Sequence, residues 1–436
     1  MPLGITIGTL FGALFILLGS GIYVGIALSG AGVFGLEWLA HQGGLVGAQL
    51  FNSVNNFPLA AVPFFMFMGE LILRSGLSDR LYQGVSQWTR VLPGGLTHSN
   101  IVSCSLFAAV SCSSVATAAT IGTVAYPEQS KRGYNESLVT GSLAAGGTLG
   151  ILIPPSINMI IFGAIAGVSV GKLFMAGVLP GISLALMFMA YIFAAAVINP
   201  SLGPKPDKFR PRYFLEGIIA LKDVMPTAAI MILIMGSIYG GVMTPTEAAA
   251  AAALLALILG ALFGKMNLAI VKESALNALR TSGMVLFLVM AAQVLGIAVS
   301  MLRIPTMLTA IVAEAGLSRY VVWFAVVIII IILGCLMDGL SIMLFTLPVL
   351  FPLLVTTLGF HPLVVGIFMV LQAECALITP PVGLNLYIIH GIAKGTDMMT
   401  VIKGIIPFFI LMVVMIVLIT YFPEMVLFLP GMMIGR

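Results

Sequence analysis

Two stretches of this chain put polar backbone and hydroxyl oxygens inside runs that are otherwise apolar. They are Gly146-Gly-Thr-Leu-Gly-Ile-Leu-Ile-Pro-Pro-Ser-Ile-Asn158 and Cys375-Ala-Leu-Ile-Thr-Pro-Pro-Val-Gly-Leu-Asn385. Each Pro-Pro pair removes two amide donors, and its first proline disfavours helical geometry in the residue before it. Carbonyls freed inside an apolar span have no water to satisfy them, so they must be buried in protein or line a polar cavity. A broken span of that kind can hold an ion. Two further interruptions, Ser111-Cys-Ser-Ser114 and Asp338-Gly339, have the same character.

The candidate cation ligands are therefore Ser113, Ser114 and backbone carbonyls at Gly150 and Ile153 in the first half of the chain. In the second half they are Asp338, Gly339, Thr379 and Gly383. These are hard oxygen donors suited to Na+, and no thiolate–imidazole cluster points to a transition metal. Amide ends of half-helices at such breaks face anionic groups, and carbonyl ends face cations. Ser156, Asn158 and Asn385 flank the breaks and could hydrogen-bond a polar solute; the two asparagines could equally cap the resumed half-helices. Single serines and threonines in apolar helices also serve as packing glue. Asp338 differs, because a carboxylate in mid-apolar sequence is costly and by default functional. Glu374, six residues before Pro380, is open between ion coupling and a local hydrogen bond. No arginine or lysine lies near the middle of a span, so an acidic solute would be held by amides, hydroxyls and bound cations.

The elements that position these residues follow from composition. The chain of 436 residues is 60% hydrophobic and 8% charged, with a mean hydropathy of +1.17. Soluble domains carry about 25% charged residues, so this is an all-α polytopic membrane protein. The net charge of +4 is small and says nothing of nucleic acid. Met1-Pro-Leu-Gly4 lacks a basic leader, so the first apolar run reads as membrane and not as a cleavable signal. Cys104, Cys112, Cys335 and Cys375 sit in apolar runs without metal spacing and read as packing residues.

Hydropathy suggests about ten spans and two re-entrant hairpins. The hairpins are Leu96–Tyr126, with its tip at Ser111–Ser114, and Tyr320–Leu354, with its tip at Asp338-Gly339. The broken spans are Leu138–Ala166 and Leu363–Ala393. An amphipathic segment, Leu77–Arg90, and an arm, Pro305–Leu317, precede the hairpins, while His41–Asn56 and the basic stretch Asn199–Lys222 read as polar loops. With the N-terminus outside and both hairpins returning to their own side, fifteen of the 19 basic residues fall in the cytoplasm. Lys172, Arg303, Arg319 and Arg436 remain outside, which satisfies the positive-inside bias.

The halves repeat. An offset of 227 places Asn158 on Asn385, Gly177 on Gly404 and Pro180 on Pro407; 226 places Pro154-Pro155 on Pro380-Pro381. An offset of 225 places Ser113-Ser114 on Asp338-Gly339. The topology makes the two copies inverted, as in secondary transporters with a site at the repeat interface. The division is 1–56, N-terminal scaffold; 57–198, first repeat; 199–280, central loop and linking helices; 281–436, second repeat. Gly167-Val-Ser-Val-Gly171 spells a hydrolase elbow but follows a span, not a strand. Neither a phosphate-binding loop nor a histidine metal set is present.

These residues resemble the large membrane subunit of tripartite ATP-independent periplasmic (TRAP) transporters, over essentially the whole chain. Met243-Thr-Pro-Thr-Glu-Ala-Ala249, Leu152-Ile-Pro-Pro-Ser156, Met337-Asp-Gly339 and Ile378-Thr-Pro-Pro-Val-Gly-Leu-Asn385 carry the resemblance. It implies a Na+-driven, elevator-type symporter in a bacterial inner membrane, with both termini periplasmic on the topology above. It implies a separate small four-helix membrane subunit, a periplasmic substrate-binding protein, and an organic acid such as a C4-dicarboxylate or sialic acid as solute. No cofactor other than the coupling ion is implied. On the substrate side it points to the first-hairpin serines Ser111 and Ser114, and to Ser156 and Asp338. Gln372 and Ala376 depart from the family pattern, where Asn and Gly are common, and both bear on the second ion site. The rival readings are an uncoupled channel or facilitator, an intramembrane enzyme, which lacks a nucleophile–base set, and a structural scaffold.

Overall fold

The structure, a computed structural model, describes residues 3–207 and 211–433, and every regular element among them is helical. The helices run α1 Leu3–Gly19, α2 Val24–Phe34, α3 Leu45–Val54, α4 Ala61–Ser75, α5 Leu77–Thr89, α6 Leu96–Ser111, α7 Ser114–Lys131, α8 Glu136–Leu152, α9 Ile157–Ala166 and α10 Val170–Ile198. They continue α11 Pro211–Tyr239, α12 Pro245–Phe263, α13 Leu268–Met301, α14 Ile304–Glu314, α15 Arg319–Gly334, α16 Gly339–Phe351, α17 Pro362–Ile378, α18 Leu384–Ile392, α19 Met398–Tyr421 and α20 Glu424–Gly431. Eight helical segments among the described residues are long and apolar enough to cross a membrane, so the protein is polytopic.

Local sequence explains the boundaries. The Met243–Glu247 motif is a capping box: Thr244 Oγ accepts from the Glu247 amide at 3.3 Å and Glu247 accepts from the Thr244 amide at 2.7 Å. Pro245 fills the first turn of α12, where its missing amide costs nothing. The elbow-like Gly167–Gly171 is likewise a turn. Gly167 ends α9 in the left-handed region (φ +68°), and the Ser169 hydroxyl caps α10.

The four expected interruptions fall where proline chemistry and polar tips put them. α6 and α7 meet at Cys112-Ser113, α15 and α16 at Cys335–Asp338, α8 and α9 at 153–156, and α17 and α18 at 379–383. Other segments differ from expectation. His41–Asn56 contains α3, whose spaced apolar residues were hidden by glycine and glutamine. α11 begins at Pro211, inside the expected central loop, and α13 begins at Leu268, ahead of residue 281, where the second repeat was expected to start. Charged residues inside both helices, Lys222 and Asp223 in α11 and Lys272, Glu273 and Arg280 in α13, lower the local hydropathy, which then reads as loop. α16 with the following π-helical turn reaches 19 residues, enough to cross by length.

From α4 onward the order is long helix, short helix, helix pair, broken helix, long helix, and from α13 onward it is the same. The short arm of each broken helix packs on the other half's helix pair, α18 on α7 and α9 on α16. α8 and α19 cross closely, because Gly141 and Gly404 leave no side chain between them. A buried polar network ties the base of the first helix pair: Gln129 Nε2 donates to Tyr82 Oη (3.0 Å) and to Asn100 Oδ1 (2.5 Å), and Asn100 Nδ2 donates to Ser142 Oγ (2.8 Å).

Candidate functional site

The two helix-pair tips and parts of both breaks surround one cavity of about 180 Å³. Cys112, Ser113 and Ser114 line it from the first tip, and Asp338 and Gly339 from the second. Ile151, Ile157 and Asn158 come from the first broken helix, and Leu377 and Leu384 from the second. α4 and α13 close the remaining side with Met66, Thr281, Met284 and Val285. Of the candidate residues, Ser113, Ser114, Asn158, Asp338 and Gly339 therefore share a space, although 225 residues separate the two tips.

The tips are built from helix ends. At the first, α6 ends in Cys112, a non-glycine residue in the left-handed region (φ +53°). The Ser113 hydroxyl then accepts from the Ala116 amide at 3.3 Å to start α7. At the second, Asp338 caps α16, accepting from the Ser341 amide at 3.2 Å and from the Ser341 hydroxyl in a short bond. Close backbone approach fixes both tips. A Cβ at Gly150 of α8 would sit 3.3 Å from Ser113, and one at Gly339 would sit 2.5 Å from the Ala373 carbonyl of α17. Among the described residues Asp338 is the only charged side chain on the cavity wall, and it is half-buried. The buried Asn158 side chain lines the cavity and makes no hydrogen bond among the described residues, leaving its amide available to a ligand.

Several candidate residues are turned elsewhere. Ser111 Oγ bonds Thr117 Oγ at 2.7 Å, Ser156 Oγ donates to the Ile151 carbonyl at 2.5 Å, and Thr379 Oγ donates to the Cys375 carbonyl at 2.5 Å. These hydroxyls satisfy backbone or neighbouring groups at the helix ends. Gly383 holds the second break in a left-handed turn (φ +35°). Ile153 and Pro154 line a different, apolar cavity of about 580 Å³ against α10 and α11. Pro380 and Pro381 are exposed, so the double prolines make the breaks without lining the shared cavity.

Asn385 neither caps its helix nor lines the cavity. Its Nδ2 donates to Ser114 Oγ (2.8 Å) and to the Ala144 carbonyl (3.2 Å), binding α18 to the first tip and to α8. Its Oδ1 is buried without a partner. Thr281 was not anticipated; its only sequence signal is a hydroxyl at the head of an apolar run. Among the described residues no group of three or more His, Cys, Asp or Glu could hold a metal ion, so a cation here would rest on hydroxyl, carbonyl and single-carboxylate oxygens. Ala376 packs on Gly334 of α15, so an added methyl stands at that helix contact.

A family model described as tripartite ATP-independent periplasmic transporter, DctM component, matches residues 11–425. The chain is 32% identical over 387 residues to the C4-dicarboxylate TRAP transporter large permease protein DctM of Pseudomonas aeruginosa, covering 88% of each chain. It is 31% identical over 383 residues to the ectoine/5-hydroxyectoine TRAP transporter large permease protein UehC of Ruegeria pomeroyi, covering 87% of this chain and 88% of that one. Its fold is similar to that of the Alcanivorax borkumensis YdaH transporter, with a TM-score of 0.61 at 13% identity, over 86% of this chain and 88% of the other.

Proposed function

Because this chain belongs to the DctM component family of tripartite ATP-independent periplasmic transporters, we propose that it imports an organic acid across the bacterial inner membrane, driven by Na+. The relatives named for a C4-dicarboxylate and for ectoine argue for a small carboxylate-bearing solute. The observation that carries this reading is the single cavity bounded by Ser113 and Ser114, by Asp338 and Gly339, and by Asn158.

Electrostatics sets the order of binding. Asp338 alone repels an organic anion, and the cavity offers no arginine or lysine to offset it. A Na+ held by the Asp338 carboxylate and nearby hydroxyl and carbonyl oxygens cancels that repulsion, and the amide ends of α7, α9 and α16 then favour the solute. Ser113, Ser114, Gly150 and Asp338 are the proposed cation side; Ser114 and Asn158 are the proposed solute side. Solute without the cation adds its charge to that of Asp338 and is disfavoured against an apolar scaffold, which couples solute movement to ion binding.

The moving unit in this reading comprises α6–α9 and α15–α18. The scaffold comprises the remaining helices, with 57–198 and 281–436 as inverted repeats and the two helix pairs as re-entrant hairpins. The common element order and the crossed packing of α9 and α18 support that arrangement. Both termini lie on the periplasmic side. A small four-helix membrane subunit and a periplasmic binding protein complete the system.

The test is uptake of labelled succinate and other organic acids into proteoliposomes holding the chain, its small subunit and the binding protein. Accumulation should require an inward Na+ gradient. Equilibration at the same rate without the gradient would instead favour an uncoupled facilitator.

A further inference from the structure

One buried acidic side chain lies outside the cavity. Glu374 of α17 is fully buried, and neither of its carboxyl oxygens makes a hydrogen bond of good geometry among the described residues, the backbone at Leu152 being the polar group it approaches. Ala373, beside it, faces the second tip, while Glu374 turns to the backbone at Leu152, where α8 ends at the first break. The Leu152 carbonyl in turn lies against Gly177 of α10. Glu374 thus sits behind the cavity wall, where a second-half helix meets the end of the first broken helix.

Among the described residues no counter-charge is available there. α8 carries Glu136 alone, in its first turn, about 24 Å along the helix at 1.5 Å per residue. α9 has no ionisable side chain, and α10 has Lys172, exposed in its first turn, and Tyr191. α15 contributes Arg319, Tyr320 and Cys335; α16 only its cap Asp338; α18 Tyr387 and His390; α19 Lys403 and Tyr421; α20 Glu424. None bonds to Glu374, whose electrostatic neighbour is the thiol of Cys375. An unpaired carboxylate is among the costliest groups to enclose, and a carboxyl so placed takes a proton instead.

We propose that Glu374 is a proton-binding site inside the moving domain, occupied in the packed arrangement and discharged only when a local opening between α17 and the end of α8, within that domain, admits water. The step is Glu374 carboxyl giving carboxylate and one proton to that water, with no other group changed. An ionised Glu374 cannot be enclosed again, so the transport cycle stalls as pH rises. The consequence for uptake rests on the transporter reading; the protonation itself does not.

Two measurements decide it. Infrared difference spectra of the reconstituted protein near neutral pH should show a protonated-carboxyl band that is lost in Glu374→Gln and shifted in Glu374→Asp. Uptake by the wild type should fall at alkaline pH, by about tenfold per pH unit beyond the midpoint of a single titrating group, while Glu374→Gln should lack that fall. Absence of the band in the wild type, or its persistence unshifted in the variants, would overturn the proposal, and so would superimposable pH profiles. If no preparation transports, or Glu374→Gln does not assemble, the wild-type band and its shift in Glu374→Asp still decide the point.

Discussion

Replacing Asp338 by alanine and by asparagine separates the two jobs its carboxylate is assigned. Alanine removes the acceptor of both the Ser341 amide and the Ser341 hydroxyl. Loss of a helix cap costs about 1 kcal/mol, and leaving the fully buried Ser341 hydroxyl unpaired adds about 1–3 kcal/mol. The second tip should therefore lose about 2–4 kcal/mol, a sizeable part of the roughly 5–15 kcal/mol that holds a domain folded. Asparagine keeps the volume and one oxygen for the amide, so the cap largely survives, but the charge is gone. A cation about 4 Å from a lost unit charge, at an effective dielectric of about 20, forfeits on the order of 4 kcal/mol, or about a thousandfold in affinity. The assay is Na+ titration of thermal stability alongside Na+-driven uptake. Asp338→Asn should melt near the wild type yet need two to three orders of magnitude more Na+, on that same Coulomb scale. Asp338→Ala should fail in both respects. A wild-type Na+ half-saturation in Asp338→Asn would refute the reasoning and reduce Asp338 to a helix cap.

Asn385→Ala removes the donor to Ser114 and Ala144; it should cost about 1–3 kcal/mol and shrink the Na+-induced rise in melting temperature. Gly404→Ala should lower stability by about 1–3 kcal/mol, because its Cβ would press into the Ser137 carbonyl of α8. Gly8→Ala, with open space around it, should be neutral or slightly stabilising in the same melting assay. His361, exposed at the head of α17, accepts from the Leu363 amide through Nδ1 at 3.2 Å, and partial burial, then Lys172, lowers its pKa below the usual 6.5. Its neutral form is thus favoured by folding, so this stability is present above about pH 6.5 and is lost as pH falls from there through the lowered folded value. His361→Asn, which keeps a cap acceptor, should flatten that acid limb of the melting profile.

The breaks and tips were legible because their causes are local. Two prolines stop a helix wherever they stand, and Ser-Ser or Asp-Gly in an apolar run has little to do but start a new one. That is why Ser113, Ser114, Asn158, Asp338 and Gly339 could be named before any contact was known. What local sequence could not say is where each hydroxyl turns. Ser111, Ser156 and Thr379 look as exposed to a ligand as Ser113 does, yet their hydroxyls close helix ends. Asn385 resembles Asn158 by repeat, but the crossed packing of α18 onto α7 sends it to Ser114. The position of Ile153 and Pro154 on an apolar cavity is likewise set by α10 and α11, which lie beyond the break in sequence. Helix α3 escaped because hydropathy averages away an amphipathic stripe, the starts of α11 and α13 because nearby charged residues lower the local hydropathy, and α20 because eight residues are too few to cross.

The most direct measurement is a structure determined with Na+ and the transported solute bound. Density should lie in the cavity of about 180 Å³, touching Ser114, Asn158 and Asp338, with a cation within reach of the Asp338 carboxylate. Solute density confined instead to the cavity of about 440 Å³ between Asn56, Ser169 and Thr244, with the tips empty, would contradict the account.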